Sequence, residues 1–267
     1  MKSTFLKVLI AVAVCAFATL SNYAQPSEVP AARSGSLFAG ETLKFEGKIN
    51  KMKISISVAE LSFTAALAPN ATDLLIKGEA VSKGTLTKLF RFSFLQQYNS
   101  TIDLNGFRIL KTTKHDVQKE RVRDSEAIFD YGQKRVTYVE TDPKDVNRPP
   151  RRIASEIGDQ VYDISAAIYG MRLMPLAAGK RFEISISDSG VVYKVPVAVT
   201  GREEQNTVLG KVWCFRLEPE IFGTGRLIEK TGKMILWMTD DDRHTPVRAQ
   251  ISAPIGRVDI KLKSATK

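Results

Sequence analysis

The strongest constraint on this chain is a period of two that returns along most of its length. Leu43, Phe45 and Ile49 alternate with Lys44, Glu46 and Lys48, and Ile54, Ile56 and Val58 keep the same period. Leu61 and Phe63 follow in a shifted register, and Leu74 and Ile76 resume after a turn at Pro69-Asn70-Ala71. Further along, Phe182, Ile184 and Ile186 alternate with charge and serine, and Val191, Tyr193, Val195, Val197 and Val199 hold the period over nine residues. Such alternation marks strands with one packed face. Strands that are half wet belong to antiparallel sheet.

Turn signals divide the strands. Asn105-Gly106 predicts a hairpin between Thr101–Leu104 and Phe107–Leu110. Lys111 to Arg123 reads as a basic strand or strand pair, and Val136 and Tyr138 lie in one further strand. Pro196 suggests an edge or a bulge. Trp213, Phe215 and Leu217 match Ile235 and Trp237 in pattern, and Val247–Ser252 and Val258–Leu262 complete the series. The absence of strands alternating with helices argues against a parallel sheet.

One segment breaks the period. From Asp159 to Met174, Val161, Ile164, Ile168 and Met171 recur at steps of three and four, the spacing of a helix face. Asp159 or Asp163 can cap its start, and Pro175 ends it. Tyr162, Ala166 and Tyr169 on the other side make it apolar nearly all round, as in a buried helix. Asp142–Arg152, with Pro143, Pro149 and Pro150, reads as the loop that leads into it. The expected fold is mainly β: an antiparallel, strongly curved sheet or partial barrel of about a dozen strands wrapped around one central helix.

The ends point to export. Lys2 and Lys7 precede an uncharged apolar run, Val8–Leu20, with a cleavage site after Ala24. That run is short for a membrane span, so no span is expected after cleavage. Residues 1–24 are therefore read as a signal peptide, 25–39 as a flexible leader, 40–263 as a single β-rich domain and 264–267 as a tail. The expected location is the periplasm or the extracellular space. Cys214 would be the one cysteine left, in the strand pattern Val212-Trp213-Cys214-Phe215, and it reads as a buried apolar residue.

Catalytic signatures are missing. There is no His-Glu-x-x-His, no Gly-x-Ser-x-Gly and no cysteine pair for zinc, and His115 and His244 are the only histidines. Asp241, Asp242 and His244 read as a polar hairpin tip. No cofactor and no metal is expected. Without Lys2 and Lys7 of the signal peptide the net charge falls from +10 to +8, which suits anionic envelope material, and the basic strand lacks the interleaved aromatics of a single-strand nucleic-acid platform. Phe90, Phe92 and Phe94 are placed on one strand face, as core or as an apolar groove for an acyl chain. With Tyr169, Arg172 and Trp237 they form the candidate ligand-binding set.

Three stretches resemble a known family. Gly40-Glu41-x-Leu43-x-Phe45, then Asp163 to Arg172 with Pro175-Leu176 and Gly179, then Ile235 to Trp237 through Asp241-Asp242-Arg243-x-x-Pro246-Val247 are similar to the exported bacterial family called domain of unknown function 3108. The resemblance runs from Gly40 to Leu262 and rests on strand and turn patterns. His244 and Thr245 depart from it, standing where that family tends to carry basic or apolar residues. It implies an exported β-rich domain, a curved sheet or partial barrel around a helix, and no activity, cofactor or catalytic residue.

Three functional expectations follow. The first is a non-enzymatic envelope protein that binds a lipid or amphipathic polymer on its curved sheet. The second is a structural or interaction module that pairs through a sheet edge. The third is an enzyme with an atypical site at Asp163, Tyr169, Arg172 and the Asp241-Asp242 turn, which requires those side chains to converge. The oligomeric state is left open.

Overall fold

The computed structural model describes residues 37–51, 54–253 and 256–267. The expected signal peptide and most of the expected leader lie outside these residues. Fourteen strands form one sheet: β1 (Thr42–Lys51), β2 (Ile54–Leu67), β3 (Asp73–Ser82), β4 (Phe94–Asp103), β5 (Arg108–Gln118), β6 (Arg121–Asp130) and β7 (Arg135–Thr141). β8 (Arg151–Glu156), β9 (Arg181–Asp188), β10 (Val191–Thr207), β11 (Gly210–Pro219), β12 (Lys233–Thr239), β13 (Pro246–Ala253) and β14 (Gly256–Thr266) complete it. Two helices accompany the sheet among the described residues, α1 (Gly84–Phe90) and α2 (Ile164–Arg172).

The strand order is β8-β7-β6-β5-β4-β3-β2-β1-β14-β13-β12-β11-β10-β9. This is a meander in which consecutive strands pair antiparallel and the first and last strands, β1 and β14, meet in the middle. The mainly β, antiparallel reading holds. The sheet does not close, because β8 and β9 are its ends and are not paired with each other.

The two ends nevertheless approach at one corner. Ser155 Oγ donates to the Gly190 carbonyl at 2.7 Å. Gly190 lies against the faces of β7 and β8, where a Cβ would come within 2.7 Å of the Tyr138 Cβ and 2.8 Å of the Ile153 Cβ. Its φ of +81° also favours glycine. The chain leaving β8 then crosses to β9. There Tyr162 N donates to Ser185 O at 3.0 Å, and Ser187 N to Tyr162 O at 2.8 Å.

Every residue of α2 is buried. Asp163 caps it by accepting from Ala166 N at 2.7 Å, so the helix is shorter than Asp159–Met174 but keeps the expected cap and all-round apolar character. Burying each of Ile164, Ile168 and Met171 is worth about 1.5–3 kcal/mol. The Gly170 Cα passes so near the Tyr162 ring that a Cβ would lie 2.7 Å from it, which allows the helix to seat.

Several expectations are corrected. The helix is not the single one: Gly84–Phe90 forms α1, which anchors Leu86 and ends at Arg91 with φ +50°. Phe90, Phe92 and Phe94 therefore do not share a strand face, because Phe90 ends a helix, Phe92 lies in the link and Phe94 opens β4. The loop read over Asp142–Arg152 ends earlier than expected, because Arg151 and Arg152 open the exposed edge strand β8, which runs on to Glu156. Residues Ser264–Thr266 are not a loose tail but pair with Lys44–Thr42. Phe38, assigned to the leader, is fully buried. Trp237 does not share a face with Leu217, because it stands opposite Arg216 while Leu217 meets Leu236.

Gly190→Ala tests the corner. It forces a β-carbon into the β7–β8 face at positive φ, and thermal unfolding should show a loss of about 2–4 kcal/mol. Gly201→Ala, with nothing within 4 Å of its Cβ position, is the mild control.

Candidate functional site

The first cluster is a buried ion knot at the end of α2. Arg172 is 1% exposed and grips Glu41 with both arms, Nη1 to Oε2 at 2.5 Å and Nη2 to Oε1 at 2.8 Å. Its Nε donates to the Arg243 carbonyl at 3.0 Å, and the Arg243 Nη2 donates to Glu41 Oε1 at 2.8 Å. The Arg172 guanidinium lies 4.3 Å from the Phe38 ring centre and 5.1 Å from that of Tyr169. His244 Nδ1 donates to the Arg172 carbonyl at 2.9 Å. Burial alone would push the Glu41 carboxyl up, but the hydrogen bonds and charges of Arg172 and Arg243 outweigh it and hold it below the usual carboxylate range.

Asp163 sits at the opposite end of α2, about 13 Å of helix rise away. Its carboxylate accepts from Ser100 Oγ and, at 2.6 Å, from Thr112 Oγ1. Burial pushes this carboxyl up, against the hydrogen bonds of Ala166, Ser100, Thr112 and Ser165. Asp241 belongs to neither end, since its carboxylate organises its own turn by accepting from Thr239 Oγ1 at 2.7 Å and from the amides of Arg243 and His244. The residues of the expected atypical enzyme site thus do not share one pocket. Cys214 is buried among carboxylates, and burial first, then Asp241, Glu203 and Asp240, pushes its thiol up to about 12. That thiol is poorly set to be a nucleophile. Among the described residues no group of three or more His, Cys, Asp or Glu side chains could hold a metal ion.

The second cluster is apolar and lies between α2 and the concave face. Two small cavities of about 30 and 20 Å³ share Leu61, Phe63 and Ile168 in their walls. The first extends to Gly78, Ile164, Ser165, Gln96 and Tyr98, and the second to Phe45, Leu236, Ala249 and Ile260. Phe63 is the half-buried ring between them, edge-on to Phe45 at 6.0 Å. At the Gln96 end, Gln96 Oε1 and Tyr98 Oη are buried without a hydrogen bond of ordinary geometry. The Lys114 ammonium lies 4.9 Å from the Tyr98 ring centre and 3.8 Å from Asp188.

The six candidate ligand residues are scattered. Phe90 is exposed, while Phe92 and Phe94 are buried with ring centres 6.3 Å apart. Tyr169 and Arg172 meet in the ion knot. Trp237 lies on the opposite face of the sheet, donating Nε1 to Glu203 under the β10–β11 hairpin, with Arg248 over its ring at 4.7 Å. Phe63, Gln96 and Tyr98 were not expected as a group from the sequence; the signal was their alternation with outward residues on β2 and β4.

The three stretches that carry the family resemblance supply Glu41, Arg172 and Arg243, so the knot gathers them at one point. The sequence profile of the family described as Protein of unknown function (DUF3108) matches residues 44–263. The chain belongs to this family. The DUF3108 fold is also similar to the crystal structure of a beta-barrel-like protein of domain of unknown function DUF1849 from Brucella abortus. The TM-score is 0.54 at 8% identity, over 85% of this chain and 97% of that one. At that identity the likeness concerns the fold alone. No curated protein matches this DUF3108 chain. No helix among its described residues is long and apolar enough to cross a membrane.

Removing one partner of the knot leaves a buried charge alone, so Glu41→Gln should cost about 3–5 kcal/mol near neutral pH in denaturant unfolding. Because the folded carboxyl is held below its unfolded value of 4.5, its contribution is complete above that value. It is lost as pH falls through the folded value. The gap between wild type and Glu41→Gln should therefore narrow on acidification below about pH 4.5.

Proposed function

We propose that this protein is a non-enzymatic, exported binding protein of the cell envelope that accommodates the acyl chain of a lipid or amphipathic polymer between α2 and the concave sheet. The observation that carries this reading is the pair of cavities flanking Phe63. Their common walls, Leu61, Phe63 and Ile168, make them two ends of one apolar trough interrupted by a single ring. Each cavity alone holds little more than a water or two. Rotation of Phe63 joins them into a slot that runs from Tyr98 on β4 to Leu236 on β12. Methylene groups entering it leave water at about 0.8 kcal/mol each. At one end the Tyr98 hydroxyl, beside the Lys114 ammonium, is a donor for the ligand's polar end, and the unpaired Gln96 Oε1 is an acceptor.

The reading moves the ligand from the six residues expected from sequence to the trough, because most of those six are committed to the core or the knot. Export and the envelope setting rest on the basic start and apolar run of the first twenty-four residues.

The test is titration with a fluorescent fatty acid, with native mass spectrometry of the purified protein beside it. Phe63→Ala should open the slot and tighten acyl-chain binding about tenfold, while Ile168→Phe should fill it and weaken binding by a similar factor. Absence of binding by both the wild type and Phe63→Ala, with no co-purified lipid, would reject the reading.

A further inference from the structure

We infer that the protein forms a two-fold symmetric dimer by pairing β8 with β8 of a second copy, in a register centred on Ala154. The inference is independent of the ligand trough and rests on the open edge of the sheet.

The edge is free on its hydrogen-bonding side. The Gly190 corner packs on the face of β7 and β8, against Tyr138 and Ile153, and does not lie alongside β8. The crossing chain covers β9 at Ser185–Ser187 and not β8. Ile157 N donates to Lys134 O at 3.0 Å, which fixes the phase of the β7–β8 ladder. In an antiparallel pair these bonds fall on alternate residues, so Arg151, Ile153 and Ser155 face β7 with their backbone groups. Arg152, Ala154 and Glu156 direct theirs outward.

The same three residues carry the complementary chemistry. Arg152, Ala154 and Glu156 are exposed, and they share the sheet face away from Ile153 and Ser155. Among the described residues neither Arg152 nor Glu156 has an ion-pair partner, although Arg135 stands across from Glu156. A two-fold axis normal to the sheet keeps the faces of both copies aligned, so it passes through a residue rather than between two. Centred on Ala154, the pairing opposes Arg152 to Glu156 of the second copy twice and brings two small alanines together at the axis. Three opposed pairs then exchange about six N–H···O bonds. Centring on Ile153 would set Glu156 against Pro150, which has no N–H, and Arg152 against alanine. Centring on Ser155 would leave both charges unmatched. The isolated arginine otherwise guards the edge against unrelated strands.

Six residues per strand make a small interface, so the dimer should be concentration-dependent with a micromolar or weaker Kd, as for interfaces under about 1,200 Å². Sedimentation velocity of the purified protein over a wide concentration range reads it directly. Arg152→Glu should weaken dimerisation about tenfold or more, Glu156→Arg likewise, and the double exchange should restore it. Across the axis the Cα atoms of a hydrogen-bonded pair stand about 5.5 Å apart, within disulfide reach. Ala154→Cys should therefore oxidise to a covalent dimer, whereas Ser155→Cys, which points to the other face, should not. All of these sites are on an edge strand, and circular dichroism confirms folding. A protein that stays monomeric at every concentration, or a double exchange that fails to restore pairing, would overturn the inference. So would cross-linking of Ala154→Cys in cells only to a different protein, which would give the edge another occupant.

Discussion

The buried pairing of Arg172 with Glu41 is the interaction around which the rest of the molecule is arranged. A guanidinium with almost no contact with water is tolerable only if its donors are answered, and here a carboxylate and a carbonyl answer them. The partners come from the beginning, the middle and the later part of the chain: Glu41 precedes β1, Arg172 ends α2, and Arg243 belongs to the β12–β13 turn. One ion cluster therefore fixes the helix to the two halves of the sheet, close to where β1 and β14 pair. The phenyl ring of Phe38 and the phenol of Tyr169 wall the charges off from water, which strengthens them.

With that end of the helix pinned, the other end is held by Asp163, whose carboxylate binds β4 and β5 through Ser100 and Thr112. The helix becomes a bar across the concave face, and the sheet curls around it without closing. A curled open sheet has two consequences. Its interior keeps two small cavities beside Phe63, where the ring and the helix do not mesh fully. Its last strand, β8, keeps a row of backbone groups that the chain does not use. The proposed trough and the proposed dimer edge are thus products of the same arrangement, one inside the curl and one at its rim.

The alternation of apolar and polar residues made the antiparallel, mainly β character legible, because a strand half in water repeats every two residues whatever its neighbours are. The Asn105-Gly106 hairpin was legible for the same local reason. The buried character of α2 and its Asp163 cap were legible because a helix apolar on all sides has no wet face to present. What failed were the places where the local pattern is shared by two structures. Phe90, Phe92 and Phe94 keep a period of two, yet Gly84–Phe90 turns into a helix once Leu86 finds a buried seat. The start of β8 was read as loop because Arg151 and Arg152 after two prolines look like solvent, and an edge strand is largely solvent-exposed.

By itself, then, the sequence determined the antiparallel β character, the buried helix α2 and the family, each of which depends on short-range periodicity and on motifs a few residues long. Only the tertiary structure decided which side chains meet. Glu41 and Arg172 lie 131 residues apart in the sequence, and Leu61, Phe63, Gln96 and Tyr98 converge only when β2 and β4 curve under Ile164 and Ile168. The reason is physical. Alternation tells which face a residue takes, but strand order and curvature set what lies across that face.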